Sequence, residues 1–343
     1  MKNQKLFMLW LCMVLPVYVM PCDICGAYMG ITPYDNQSSI QLLHRYRAFN
    51  GYYGSGHTHS WFPETKIIPA NAVSPTGQPV MQNQLRHGGH DHGSTTPTYS
   101  DTDYEIYQVS ELRVKYFIHQ RIELNALVPF NTFNFLQSET KTHITGLGDI
   151  TVYGAYHLVR KVEVATVQHR LVGALGIKLP TGNCHASMNE KRLPLLMQCG
   201  TGTTDVFVTL NYVTGWKKFG LNLASGGKIC SKNAYGEQVL PSTTHYLNVF
   251  YKMKAGNWVF IPALQNYYEF TNGVFAQEGT NMNMLYSGIG VDAYYKNIGF
   301  TLSAQGKTWE KQEEGKIAAT SRIAAGLSYN FNQTKYLLKT KTK

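Results

Sequence analysis

Apolar and polar residues alternate one by one through most of this chain. That period of two excludes helix and calls for strands with one apolar and one polar face. In "SSIQLLHRYRAF", Leu43, Arg45, Arg47 and Phe49 fall on one face and Leu42, His44, Tyr46 and Ala48 on the other. In "SELRVKYFIH", Arg113 and Lys115 oppose Leu112, Val114, Tyr116 and Ile118. The same pattern sets Asp149, Thr151, Tyr153 and His157 against Ile150, Val152, Tyr156 and Leu158, and Arg322, Ser328 and Asn330 against Ile323, Leu327, Tyr329 and Phe331. Twelve such segments can be marked: 38–52, 104–118, 122–136, 147–159, 169–179, 204–214, 219–228, 244–254, 257–268, 284–296, 298–309 and 319–331.

The connections between the segments alternate in length. Those near 119–121, 160–168, 215–218, 255–256 and 297 are short; those at 53–103, 137–146, 180–203, 229–243, 269–283 and 310–318 are long and polar. An even strand count with short turns at one end and long loops at the other predicts an all-β, transmembrane, antiparallel up-and-down β-barrel of about 12 strands. The barrel must close because lipid offers no partner to a free sheet edge. A soluble sandwich would also alternate, but would not explain the long-short rhythm or the aromatic residue, Phe331, that ends the last segment.

Composition agrees. Charged residues make up 15% of the chain, whereas a soluble domain carries about 25%. Lys2 and Lys5 precede an apolar run from Leu6 to Met20 that is too short to cross a bilayer, which reads as a secretory signal over 1–21 and places the barrel in the bacterial outer membrane. No later stretch approaches 18 consecutive apolar residues. Residues 22–37 read as a periplasmic N-terminal segment, 38–331 as the barrel and 332–343 as a basic tail. The net charge of +10 falls to +8 without Lys2 and Lys5 and favours anionic head groups or an anion-preferring interior over nucleic acid.

Two short motifs sit at a telling separation. Gly146-Leu147-Gly148-Asp149 opens one segment, and the next ends in Lys178-Leu179-Pro180-Thr181-Gly182. The pair, and the chain over 104–331, resembles the family of outer-membrane barrels named for the MetA pathway of phenol degradation. The opening "CDICGAYMGITPYDNQ" looks like a subgroup of such barrels that begins Cys-Asp-x-Cys-Gly; many carry a third cysteine where this chain has Ala27. The resemblance implies a channel or transporter for small molecules and does not name the solute.

Candidate sites follow from residue type. By alternation Arg45, Arg47, Arg113, Lys115, Lys178, Lys252 and Arg322 face the lumen, with Asp149, Asp292, Glu111 and Glu123 to pair with them. A surplus of cations would make a pore anion-preferring, and full pairing would plug it. The loop 53–103 holds five of the 12 histidines, and His57, His59, His87, His90 and His92 with Asp91 suit zinc, copper or nickel. Cys22 and Cys25 lie in an oxidising compartment and read as a local disulfide or clip, with metal delivery as the alternative. Cys184 and Cys199 share one long loop and are expected to pair, leaving Cys230 over. No cofactor is required, and no Gly-x-Ser-x-Gly elbow supports catalysis; "NLASGG" around Ser225 comes nearest. The expected function is a small-solute channel. The alternatives are metal binding or uptake through the His-rich loop and a non-transporting structural or adhesive barrel.

Overall fold

The computed structural model describes residues 37–52, 103–137, 140–164, 167–188, 190–237, 241–271, 282–311 and 317–331. The His-rich loop, the Cys22–Cys25 segment, the signal region and the tail lie outside the described residues. Among the described residues sixteen strands follow one another: β1 (Ser38–Tyr52), β2 (Tyr104–His119), β3 (Ile122–Gln137), β4 (Thr140–Leu147), β5 (Thr151–Val164), β6 (Val167–Lys178), β7 (Ser187–Met188), β8 (Lys191–Arg192), β9 (Asp205–Trp216), β10 (Phe219–Cys230), β11 (Ser242–Tyr251), β12 (Met253–Ala255), β13 (Trp258–Thr271), β14 (Met282–Tyr295), β15 (Ile298–Lys311) and β16 (Ile317–Phe331). All but β7 and β8 join one sheet. β4 with β5, and β11 with β12, are each one wall strand in two pieces, so the wall has twelve strands and is closed. The first and last strands pair from Ser38↔Phe331 to Tyr52↔Ile317, and β11 pairs with β13.

Each expected segment is present, and the fourth differs most. It begins at Thr140 rather than 147 and breaks at Gly148–Ile150. The cause lies across the ladder. Pro129 of β3 has no N–H to donate, so the opposing chain leaves the sheet there, and only its carbonyl is used, by Gly148 N–H at 2.9 Å. β4 resumes above the break against Phe130–Gln137 and β5 below it against Ile122–Leu127.

Two-residue turns at 217–218, 256–257 and 296–297 close one end of the barrel. Lys217, Gly256 and Lys296 take positive φ of 56°, 59° and 51°, the backbone that tight antiparallel hairpins demand. Both ends of the strand series, Ser38 and Phe331, lie at this turn end; the long connections are at the other, the loop end. In outer-membrane barrels the turn end is periplasmic.

The outer wall is apolar. Leu175, Ile229, Leu264 and Ile289 are 62–66% exposed, an arrangement that only lipid makes favourable. Near the turn end the wall carries rings: Trp258 lies 5.0 Å from Tyr295 and Phe219 4.8 Å from Tyr251, centroid to centroid. Near the loop end Trp309 approaches Tyr268 at 6.5 Å. These are the interfacial girdles of a membrane barrel. The chain is a barrel of the bacterial outer membrane.

Candidate functional site

The two motifs meet at the break in the wall. Asp149, released from the ladder, is buried and works as an acceptor for the loop that follows β6. Its Oδ1 accepts Gly182 N–H at 2.9 Å; its Oδ2 accepts Thr201 N–H at 2.8 Å and the Thr201 hydroxyl at 2.6 Å. Lys178, at the end of β6, donates to Asp149 Oδ2 at 3.0 Å and to Asp205 Oδ2 at 2.9 Å, and contacts Thr201 and Thr203. Lys228 of β10 adds a second cation 3.4 Å from Asp205. All these charges are nearly solvent-free, so each must be paired. Glycine is required where backbones touch: a Cβ on Gly200 would lie 2.4 Å from the Gly182 carbonyl carbon.

The loop so held does not stand out in solvent. Leu193 and Cys199 pack on Phe133, Phe135 and Ile144, with Tyr107 and Val109 alongside, on the inner face of β2–β4. Gln198 braces it from within, accepting Ala186 N–H and donating to the carbonyls of Ala186 and Leu193. The segment after β6 therefore narrows the loop-end mouth.

Below it the inner wall changes character around the barrel. On β16, β1 and β2 it is basic. Arg47 and Arg322 are direct cross-strand partners, a like-charge placement that costs stability. Arg45 bonds Glu111 at 3.2 Å, and Arg113 contacts the same carboxylate. Farther round the wall, β11, β13 and β14 present a collar of rings and a thioether: Tyr246, Tyr267, Met284 and Tyr286, with Phe49 of β1 in the same cluster. The two faces join. Arg47 reaches Glu269 of β13 at 3.0 Å, and Arg322 lies over the Tyr267 ring at 3.6 Å. The Tyr267 hydroxyl donates to Glu269 at 3.1 Å.

Toward the turn end comes a belt of amides. Asn211, Asn222, Asn248 and Gln265 point inward from β9, β10, β11 and β13, and Gln305 of β15 donates to Gln265 at 3.1 Å. Asn125 joins them from β3. One polar atom of each of Asn125, Asn211, Asn222, Asn248 and Gln265 is buried without a protein partner. Below the belt, Val213, Phe250, Ile261, Ala263 and Tyr294 form an apolar base on one side.

The alternation placed Arg45, Arg47, Arg113, Lys115, Asp292 and Arg322 on the inner wall, and the structure has them there; Lys115 lies 5.7 Å over Phe117 and Asp292 accepts the Thr301 hydroxyl at 2.7 Å. Asp149 and Lys178 face inward too, but serve as the loop anchor. Lys252 does not line the lumen. It sits in the break between β11 and β12, exposed at the turn end, where its N–H meets the Lys218 carbonyl at 2.7 Å. The break resets the alternation on which its placement relied.

The cysteines also differ from expectation. Cys184 and Cys199 are free thiols rather than a bridged pair. Cys199 Sγ turns to the Asn131 carbonyl, 3.9 Å away, inside the wall cluster, whereas Cys184 Sγ turns toward His185. Among the described residues no group of three or more His, Cys, Asp or Glu could hold a metal ion. Ser225 Oγ lies 3.0 Å from His245 Nδ1, but on the lipid-facing side beside Leu223 and Leu247, and a hydroxyl, Thr243, rather than a carboxylate, holds Nε2.

Glu269, Asp205, Lys228, Lys307 and Glu310 were missed. Alternation could have placed Glu269, Asp205, Lys228 and Lys307 on the inner face, but the ion-pair partners of Glu269, Asp205 and Lys228 lie far away in sequence; Glu310 pairs with Lys307 three residues away, across a bulge that reverses the alternation.

No family model and no curated protein matches this chain. Among solved structures, an outer membrane channel from Pseudomonas putida F1 is similar at TM-score 0.58 and 12% identity, over 88% of this chain and 97% of that one. The β domain of the Bordetella autotransporter BrkA gives TM-score 0.46 at 12% identity, over 87% and 100%. LpxR from Salmonella typhimurium gives TM-score 0.39 at 8% identity, over 65% and 88%. The first likeness is one of fold; the other two are too loose to carry an argument. The motif resemblance read from Gly146–Asp149 and Lys178–Gly182 thus gains a shared barrel fold and nothing finer.

Proposed function

We propose that this barrel is a channel for small solutes, with a preference for anions. The observation that carries the reading is the amide belt. Asn125, Asn211, Asn222, Asn248 and Gln265 come from five strands and give the inside of the closed barrel a polar lining, the surface that water and small polar solutes need in order to pass. The fold likeness to the Pseudomonas putida channel supports the same reading.

The preference for anions rests on Arg45, Arg47, Arg113 and Arg322, which crowd neighbouring strands of the inner wall. Guanidinium groups lining a constriction raise the local concentration of anions and lower that of cations. Arg322 and Arg47 also lie over aromatic rings, so the passage offers stacking and charge together.

The test is conductance of the refolded protein in a planar bilayer, with the reversal potential read under a salt gradient. Steady conductance whose reversal potential has the anion sign is expected, moving toward zero in Arg322→Gln. A silent bilayer from protein whose folding is verified by heat-dependent gel mobility refutes the channel; a cation-sign reversal refutes the preference.

A further inference from the structure

At the loop end, the segment after β6 carries a constellation to which the channel reading gives no task. Cys184 Sγ and His185 Nε2 lie 3.7 Å apart. The other ring nitrogen, Nδ1, is 2.6 Å from the Tyr235 hydroxyl. Tyr235 is in turn covered by the Arg192 guanidinium at 3.9 Å, and Arg192 is clamped by both oxygens of Glu237 at 2.8 and 2.7 Å. Arg192 Nε also donates to the Cys184 carbonyl at 2.9 Å, and His185 N–H to Asn183 Oδ1 at 3.0 Å. The backbone of the pair and the plane of its imidazole are therefore both fixed.

We propose that Cys184 and His185 form a surface site for a soft, thiophilic metal cation, with Cu(I) as the probe. The argument is geometric. A metal about 2.3 Å from a sulfur and about 2.0 Å from an imidazole nitrogen sees two atoms 3.7 Å apart at an angle of about 115–120°. That is the angle of a three-coordinate ion. Cu(I) accepts three ligands, and thiolate with imidazole suits it; zinc in protein sites takes four, and no third protein ligand of the His, Cys, Asp or Glu type joins the pair among the described residues. The third position is open to solvent, since His185 is exposed and Cys184 half-buried. Gly202, at φ of +66°, leaves room beside the sulfur, where a Cβ would approach Sγ at 3.0 Å. Tyr235 does what outer partners of metal ligands do: its oxygen accepts a hydrogen bond from Nδ1–H in the tautomer that leaves the Nε2 lone pair for the ion. Binding releases the Cys184 thiol proton to solvent and changes no oxidation state. The site is distinct from the His-rich loop and does not depend on the channel reading.

The test is alkylation of Cys184 in the full-length, detergent-folded protein, followed by peptide mass spectrometry, across a titration with Cu(I), added as its acetonitrile complex, that is carried past saturation of every other cysteine and histidine of the chain. Reading one peptide keeps the other cysteines and histidines out of the result. At least tenfold slower alkylation with Cu(I) is expected in the wild type, and no slowing in His185→Gln. In Tyr235→Phe the free Cu(I) that half-protects the Cys184 peptide, set with a chelator buffer, should be at least tenfold higher. Absence of protection in the wild type, or equal protection in His185→Gln, overturns the site; unchanged affinity in Tyr235→Phe overturns the orienting role of the hydroxyl.

Discussion

Replacing Glu269 with Gln tests whether the basic face and the aromatic collar are held together by charge. The Arg47–Glu269 contact is 3.0 Å long, with side chains 14% and 5% exposed. At that distance the attraction is about 5 kcal/mol for an effective dielectric near 20, and part of it repays desolvation. Removing one partner of a buried pair costs roughly 3–5 kcal/mol because the other charge stays behind. Here the remaining charge also faces Arg322 directly across the β1–β16 ladder. Gln keeps the size of Glu and an acceptor for the Tyr267 hydroxyl, so the loss is electrostatic. We expect Glu269→Gln to destabilise the folded barrel by about 3–4 kcal/mol in urea unfolding from lipid vesicles, analysed by linear extrapolation. Arg47→Met in the Glu269→Gln background should recover part of this, since it removes the stranded cation while giving up the attraction of Arg47 for Glu310. A single-variant loss below about 1 kcal/mol, or a double variant no better than Glu269→Gln, refutes the reasoning.

Three further outcomes are expected. Gly200→Ala, whose Cβ would meet Gly182 backbone at 2.4 Å, should lift the segment after β6 from the mouth and cost about 1–3 kcal/mol, read as faster proteolysis between residues 180 and 203. Glu237 is held below its ordinary pKa by hydrogen bonds from Asn233 and then Arg192. A lowered folded-state pKa means the Arg192–Glu237 clamp is fully present above about pH 4.3, the unfolded carboxylate value, and is lost as pH falls further; protease cutting near Arg192 should rise with acidification in the wild type and be independent of pH in Glu237→Gln. Burial pushes the Cys199 thiol up to about 11, so its alkylation should be slow at pH 8 and quicken about tenfold per pH unit up to pH 10.

Much of the inner wall was legible because alternation is a local property. Arg45, Arg47, Arg113 and Arg322 could be assigned to the lumen from their own strands. Lys252 could not, because a one-residue break between β11 and β12 resets the period, and nothing in "NVFYKMKAG" announces it. The break opposite Pro129 was announced only in part. The proline was visible, but the strand it interrupts could not be identified without knowing which residues face it. The same blindness explains the expected Cys184–Cys199 bridge: the two share a loop, but the fold turns one sulfur into the wall and the other to His185.

The sequence by itself determined that the chain forms strands, that there are about twelve, that one face of each is lipid-compatible and the other charged, and which end carries the loops. Those are consequences of side-chain period, turn chemistry and the impossibility of a free sheet edge in lipid. Only the tertiary structure decided which charges meet. Arg47 and Glu269 are 222 residues apart, and their contact depends on the tilt and stagger with which the wall closes, which a period of two leaves open. It also decided that the segment after β6 folds into the mouth, because that follows from where Asp149 is released from the ladder and what it then finds to bind.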